Sequence, residues 1–462
     1  MSGSEASEAV TKFVAEMTFD TLSDDAVERA KRSVLDLFAC AALGMGAGAV
    51  EPARRYVMKH APGDEATIYF GGGRAGAREA ALMNGAYVHS TEMSETFTRA
   101  LAHPGNSVIP AVLAAAERDH RSGREVILGT AIGYELLIRL GLGTGPSLVL
   151  KQGLHPPATL GAFGSTAAVS KVHGLSLDET RAALGIASCH IPSQMMVAMF
   201  DHATVKDLYQ AYAASLGVFS ADLAAEGMTG PTAWLDAWTH SVPKVMDLDK
   251  VTDRLGEHWH SSTGGLHFKL LPVMAMSAPT LGAIKNILGE HPDLDIAQIE
   301  DVLVESSGRI ELNRIAYPEN LMSARGALPF LAAAALVRPE PFLADRYLLR
   351  FLEPTLLTDG DVRSLSDKVR LEVDPEFDHN METAWPMKFE ARVTITLRGG
   401  QQLIGYHDTW PETSTMNYDQ VADKFLAVCE GRFDDTRAAQ VVDTVRSLEK
   451  LDDVHELADL LA

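Results

Sequence analysis

The sequence predicts a mainly α-helical protein in two parts. A large all-helical domain is built from both ends of the chain, residues 1–267 and 409–462, and a smaller α+β domain, residues 268–408, is inserted between them. Three observations carry this reading. Apolar residues recur at three- and four-residue spacing through the first half, strict apolar–polar alternation appears only after about residue 300, and helical spacing returns from Tyr418 onward. A length of 462 residues is also too great for one simple domain.

The elements follow in order. In Asp25–Leu43 the apolar positions Val27, Ala30, Val34, Leu37, Phe38 and Ala41 form one helix face. Ser23 supplies a start signal, with Asp24 and Asp25 in the first turn. Ser176 and Glu179 make a capping box ahead of a Thr180–Ala187 helix. The stretches Leu160–Ser170 and Ala211–Ala225 are rich in small residues, which let buried helices approach closely. In the inserted part, Val302 with Val304, Lys368–Val373 and the alternating Phe389–Leu397 read as strands. Gly399-Gly400 followed by Gln401–Tyr406 makes the last of these a hairpin. Ala324–Val337 and Phe342–Phe351 read as helices between the strands. Val421, Phe425, Leu426, Val441, Val445 and Leu448 restore the helical period.

Composition limits what the protein does. Apolar residues make up 46% and charged residues 22%, as in ordinary globular chains. The formal charge of −22 disfavours a broad grip on nucleic acid or an anionic membrane, both of which need surplus Lys and Arg. A few buried cations in a cleft still suffice for a small anion. Cys40, Cys189 and Cys429 are too few and too scattered for a disulfide framework. Met1–Val10 lacks a basic segment before an apolar core, and the uncharged stretch Leu270–Ile284 holds two prolines and is too short for a membrane span. A cytoplasmic protein is the expectation.

Several motifs fail their own requirements. Gly141–Gly145 and Gly44–Gly48 miss the G-x-G-x-x-G spacing, no phosphate-binding G-x-x-x-x-G-K-[ST] loop occurs, and the G-x-S-x-G elbow is absent. His258, His260 and His267 lack the spacing of a metal site, so a hydrogen-bonded cluster is favoured over a metal-dependent hydrolase.

The informative segments carry polar groups on Gly- and Pro-marked turns. They are Asn84–Phe97 followed by Ala102–Pro110, Gly153–Gly161 around His155, Phe200–Lys206, and Gly264–Pro272 around Lys269. Lysine is rarely buried unless paired or functional, and burial moves an amine toward the range of a useful base. Two Lys and several His together suit holding a carboxylate and moving a proton.

These segments resemble the MmgE/PrpD family. N-G-x-x-x-H-S with H-P-G-x-x-V-I-P, L-H-P-P-A-T-x-G-x-F-G-S-T-A-A, the Lys206 segment and F-K-L-L-P are similar to four ordered family motifs. The resemblance runs from the Ser23 helix through Arg325 to Lys424-Phe425. It implies a helical domain with a smaller α+β domain, a homodimer, and no essential metal or organic cofactor. It also implies His155, Lys206, Lys269 and His103 as catalytic groups, with Glu92, Thr96, His89 and Arg325 binding substrate. Glu92 stands where the family usually has Asp, Met274 where decarboxylases carry His, Leu312 near their pocket tyrosine, and Ser94-Glu95 at the usual acidic pair. The activity implied is that of a lyase or isomerase on a small di- or tricarboxylate, by proton abstraction next to a carboxylate. A 2-methylcitrate dehydratase-like hydro-lyase comes first; an iminodisuccinate-type epimerase, a cis-aconitate-type decarboxylase and a non-catalytic scaffold are the alternatives.

Overall fold

The structure is a computed structural model that describes residues 2–145, 153–191, 196–241, 246–262, 265–349, 351–384, 388–409 and 416–462. Gly264, the first residue of the fourth motif, and Arg350 lie outside the described residues. The chain divides into two compact units, one of residues 1–197, 204–268 and 416–462, the other of residues 198–203 and 269–415.

The first unit is a set of buried helices whose starts are written in their caps. Ser23 accepts a hydrogen bond from the Ala26 amide at the head of Asp24–Gly44. Reciprocal Ser/Glu capping boxes open Gly3–Glu16, Gly123–Thr144 and Leu177–His190. At the centre, Pro156–His173 packs against both Gly123–Thr144 and Tyr209–Ala225, and Ala77–His89 packs against Gly105–Arg118 and Tyr209–Ala225. Two glycines make the first of these crossings close. A Cβ on Gly133 would lie 2.7 Å from the Gly164 carbonyl oxygen, and one on Gly164 2.8 Å from that of Gly133. Gly123–Thr144 is long and apolar enough to cross a membrane, but it is buried in this unit and carries a fully enclosed Glu135–Arg139 ion pair at 2.7 Å, the marks of a core helix. Near the other end of the chain, Tyr418–Cys429 packs along Asp24–Gly44.

The second unit is built on a four-stranded sheet in the order Val369–Val373, Ile299–Ser306, Glu390–Leu397, Gln402–Asp408. The first pair is parallel and the other two antiparallel. Val302, Val304, Val393 and Ile395 alternate onto the buried face and share a core with Leu281 and Ile284 of helix Ala278–Glu290 and Leu331 of helix Leu328–Val337. Gly399 and Gly400 turn the hairpin with φ of +95° and +87°, a region open to glycine. The Phe342–Phe351 helix is a correction. Among the described residues only Pro339–Ala344 is helical there, because Asp345 turns the chain by accepting from the Tyr347 amide and Leu348 adopts φ +51°. The Ala324–Val337 segment is likewise two helices, Leu321–Ala324 and Leu328–Val337, with Pro329 in the first turn of the second.

Candidate active site

Four segments of the first unit converge. The helix Ala77–His89 ends at His89, and the chain then turns through Glu92, whose φ of +53° is left-handed. A Cβ on Gly85, one turn earlier, would lie 3.0 Å from both the Ala211 Cα and the Asn106 carbonyl oxygen. Glycine there lets this helix meet the two that carry the other site residues. His103 directly precedes Pro104, the cap of Gly105–Arg118. His155 caps Pro156–His173, where two prolines occupy the first turn and need no amide partner. Lys206 lies in the 3-10 turn Thr204–Leu208, one step before Tyr209–Ala225.

The Lys206 ammonium is paired with the Glu92 carboxylate, and both side chains are largely enclosed. Beside them, His89 is held by two amides: Asn106 Nδ2 at 3.2 Å and Gln210 Nε2 at 2.9 Å both meet its Nδ1. The His89 and His155 rings are 5.5 Å apart, and His155 also stands 5.6 Å from the Tyr209 ring. Burial holds the His155 imidazole down at about 3; Lys206 pushes the same way, Glu92 opposes it, and His103 adds to the lowering. Burial, again with Lys206, keeps His89 well below its ordinary value. The N-terminus of the Pro156–His173 helix further disfavours a cation on His155. Both rings are therefore neutral in the resting protein. His103 is half-buried, and its Nδ1 lies 3.1 Å from the Glu95 carbonyl oxygen. With Nδ1–H donating to that carbonyl, Nε2 is the basic nitrogen.

Behind His103 lies a fully buried ionisable layer. The Glu95 carboxyl accepts from Ser33 Oγ at 2.7 Å and from the Tyr134 hydroxyl. Burial, reinforced by Asp36, raises Glu95 to about 7. Asp36 is paired with Lys424 at 2.6 Å, and Lys424 also donates to the Met93 carbonyl at 3.2 Å.

The structure thus gathers His89, Glu92, His103, His155 and Lys206 of the expected residues. Thr96 is buried nearby in sequence, but its hydroxyl donates to the Ala102 carbonyl at 3.2 Å and ties the loop to itself. Lys269 and Arg325 belong to the second unit. There Lys269 is 5% exposed, and Arg325 closes the short Leu321–Ala324 helix while its carbonyl accepts from the Met274 amide at 2.8 Å. Among the described residues no group of three or more His, Cys, Asp or Glu side chains is arranged to hold a metal ion. His258 and His260 stack edge to face at 4.6 Å, while His267 Nε2 meets the Thr98 hydroxyl at 2.9 Å. Asn106, Gln210 and Tyr134 were not singled out by the sequence reading, and Glu95 was named only as part of the altered acidic pair. The only available signal was an amide or acid set among apolar neighbours.

Comparison with known proteins gives matches along nearly the whole chain. A cis-aconitate decarboxylase-like protein, oryM, of Aspergillus oryzae is 26% identical, covering 97% of this chain and 96% of its own. The cis-aconitate decarboxylase of Aspergillus terreus is 25% identical over 98% of this chain and 95% of its own, and the human enzyme 25% over 95% and 91%. Residues 8–246 match the MmgE/PrpD N-terminal domain and residues 271–450 the MmgE/PrpD C-terminal domain. With both domains matched in order, the chain belongs to the MmgE/PrpD family.

Proposed function

We propose that this protein is a lyase acting on a small di- or tricarboxylate by proton transfer at a carbon next to a carboxylate, with dehydration of a hydroxy acid as the primary reaction. The observation that carries this reading is the pairing of two neutral, enclosed imidazoles, His89 and His155, with one enclosed ammonium, Lys206, whose counterion is the protein's own Glu92. An incoming carboxylate exchanges for Glu92 on Lys206, and the ammonium then stabilises the enediolate-like charge that builds as the proton leaves. His103, with its basic Nε2, is the base. His155 takes up a solvent proton when the substrate's negative charge enters and raises its affinity for one, then hands that proton to the departing hydroxyl, which leaves as water while the ring returns to neutral. On the motif resemblance alone, Lys269 and Arg325 are further carboxylate-binding cations.

Decarboxylation is the second reading, supported by the names of relatives that align over almost the whole chain. It draws on the same carbanion stabilisation, with carbon dioxide leaving in place of a proton. Epimerisation is a variation in which a second group returns the proton to the opposite face.

One experiment separates these. The purified protein is screened in deuterated water against hydroxy and unsaturated di- and tricarboxylates, with ultraviolet detection of new conjugated alkene, carbon dioxide measurement and mass analysis of recovered substrate. Alkene formation without carbon dioxide is expected. Carbon dioxide release moves the assignment to the second reading, deuterium uptake with inverted substrate moves it to epimerisation, and no turnover of any member refutes all three.

A further inference from the structure

We infer that Asn106 and Gln210 are positioning residues that lock His89 in the tautomer protonated on Nε2, so that His89 acts as a fixed hydrogen-bond donor to a substrate oxygen and not as a base. Both amide NH2 groups are turned toward one ring nitrogen, Nδ1, at 3.2 and 2.9 Å. With both amides in this orientation Nδ1 accepts, which places the ring proton on Nε2. Four charged or titratable groups face His89. Lys206, His155 and His103 oppose a second proton, Glu92 favours one, and burial outweighs them all.

The second observation is what this clamp leaves unmet. His89 Nε2, His155 Nδ1, Asn106 Oδ1 and Gln210 Oε1 are all buried and have no hydrogen-bond partner among the described residues. His89 is 2% exposed, Asn106 2% and Gln210 0%. A buried polar atom left unpaired costs about 1–3 kcal/mol, and native proteins leave few of them. Of these four atoms, His89 Nε2–H lies on the ring edge away from the two amides and is left for a polar atom from outside the chain. The proposed site therefore takes a ligand oxygen in line with Nε2–H. Charge comes from Lys206, on the neighbouring turn.

This role complements that of His103. Its Nδ1 faces a carbonyl, so its Nε2 is basic; the Nδ1 of His89 faces two amide donors, so its Nε2 carries hydrogen. The two histidines are set in opposite tautomers by their backing groups. The donor role of His89 rests on the carboxylate reading above, whereas its tautomer does not.

The test uses the full-length protein with histidine labelled with nitrogen-15 in the ring, the His89 signal being identified by its loss in His89→Gln. Two-bond nitrogen–proton correlation patterns report the tautomer directly. In the wild type His89 is expected to show the Nε2–H pattern, unchanged from about pH 5.5 to 8.5, where an ordinary histidine titrates. In Gln210→Glu the new carboxylate draws the proton to Nδ1, and the pattern switches or becomes that of a charged ring. A wild-type His89 protonated on Nδ1, or charged at neutral pH, overturns the proposal with no variant needed. Propane-1,2,3-tricarboxylate is then added as a non-reacting probe. A downfield shift of the Nε2 proton supports the donor role, and an unchanged proton in the presence of proven binding overturns it. If the tautomer is as expected but neither binding nor turnover is found, the lyase reading and the donor role fail while the clamp stands.

Discussion

The Lys206 ammonium is paired with the Glu92 carboxylate, and Glu92 reaches it from a backbone held at φ +53°. A non-glycine residue in the left-handed region stores of order 1 kcal/mol of strain, which persists only when surrounding contacts impose it. Here the imposed contact is the ion pair with Lys206, the only lysine of the cluster among the described residues. On the function proposed above, Glu92 is the placeholder for which a substrate carboxylate exchanges.

Replacing Lys206 with Met should reveal both halves of this pair. The stranded, largely enclosed Glu92 is expected to lower stability by about 1–3 kcal/mol, and loss of the cation to reduce kcat/KM at least about a hundredfold. Adding Glu92→Gln to Lys206→Met should restore most of the stability and none of the turnover. Urea unfolding of the three variants together with steady-state rates gives the answer.

For His103→Gln the expected loss is in kcat, by about 10²- to 10⁴-fold, the usual worth of a positioned general base. Because His103 is half-buried, thermal unfolding should move by only a few degrees. A variant with full activity removes His103 from the mechanism.

Glu95 makes the protein less stable as pH rises. Its carboxyl, raised from 4.5 to about 7, keeps a proton in the folded state that the unfolded chain has already released. Between those values the native state binds more protons, so the stability contributed below pH 4.5 is lost as pH climbs through about 7. Glu95→Gln should remove that slope and leave the variant more stable than wild type at pH 8, by up to about 3 kcal/mol. Denaturation curves at pH 5 and pH 8 measure it.

His155 works in the other direction. Held near 3 when folded, it stays neutral while the unfolded chain's imidazole gains a proton below about 6.5. The unfolded state then binds more protons, and stability falls as pH drops from 6.5 toward 3. His155→Gln, which takes up no proton in either state, should flatten the acid limb of the stability curve while abolishing turnover. An acid limb of wild-type steepness in this variant would show that the ring is not buried in neutral form.

Much of this was readable from local sequence, because the physics concerned is local. A cap such as Ser23, the Ser176/Glu179 box and the alternation in Phe389–Leu397 act over a few residues. Members of the candidate site carried a local signal too: His89, His103 and His155 are polar residues in Gly- or Pro-marked segments, and Glu92 and Lys206 are charged residues close to apolar helices. What escaped depends on tertiary contact. Nothing near Asn106 or Gln210 says that both amides will meet one imidazole. The parallel pairing of Val369–Val373 with Ile299–Ser306 leaves no periodic trace, and Asp345 ends a helix that apolar spacing continues to Phe351.

The Asp36–Lys424 pair joins positions 388 apart, both enclosed beneath the site loop through the Met93 carbonyl. On a ribosome that makes the chain from its amino end, the Asp24–Gly44 helix is finished early, while its counterion arrives only after the whole second unit has been synthesised. Until then Asp36 lacks its Lys424 ammonium, and the Met93 carbonyl next to Glu92 lacks that donor. The link from the Asp24–Gly44 helix through Lys424 to the loop bearing Glu92 is therefore among the last contacts of the nascent protein to form.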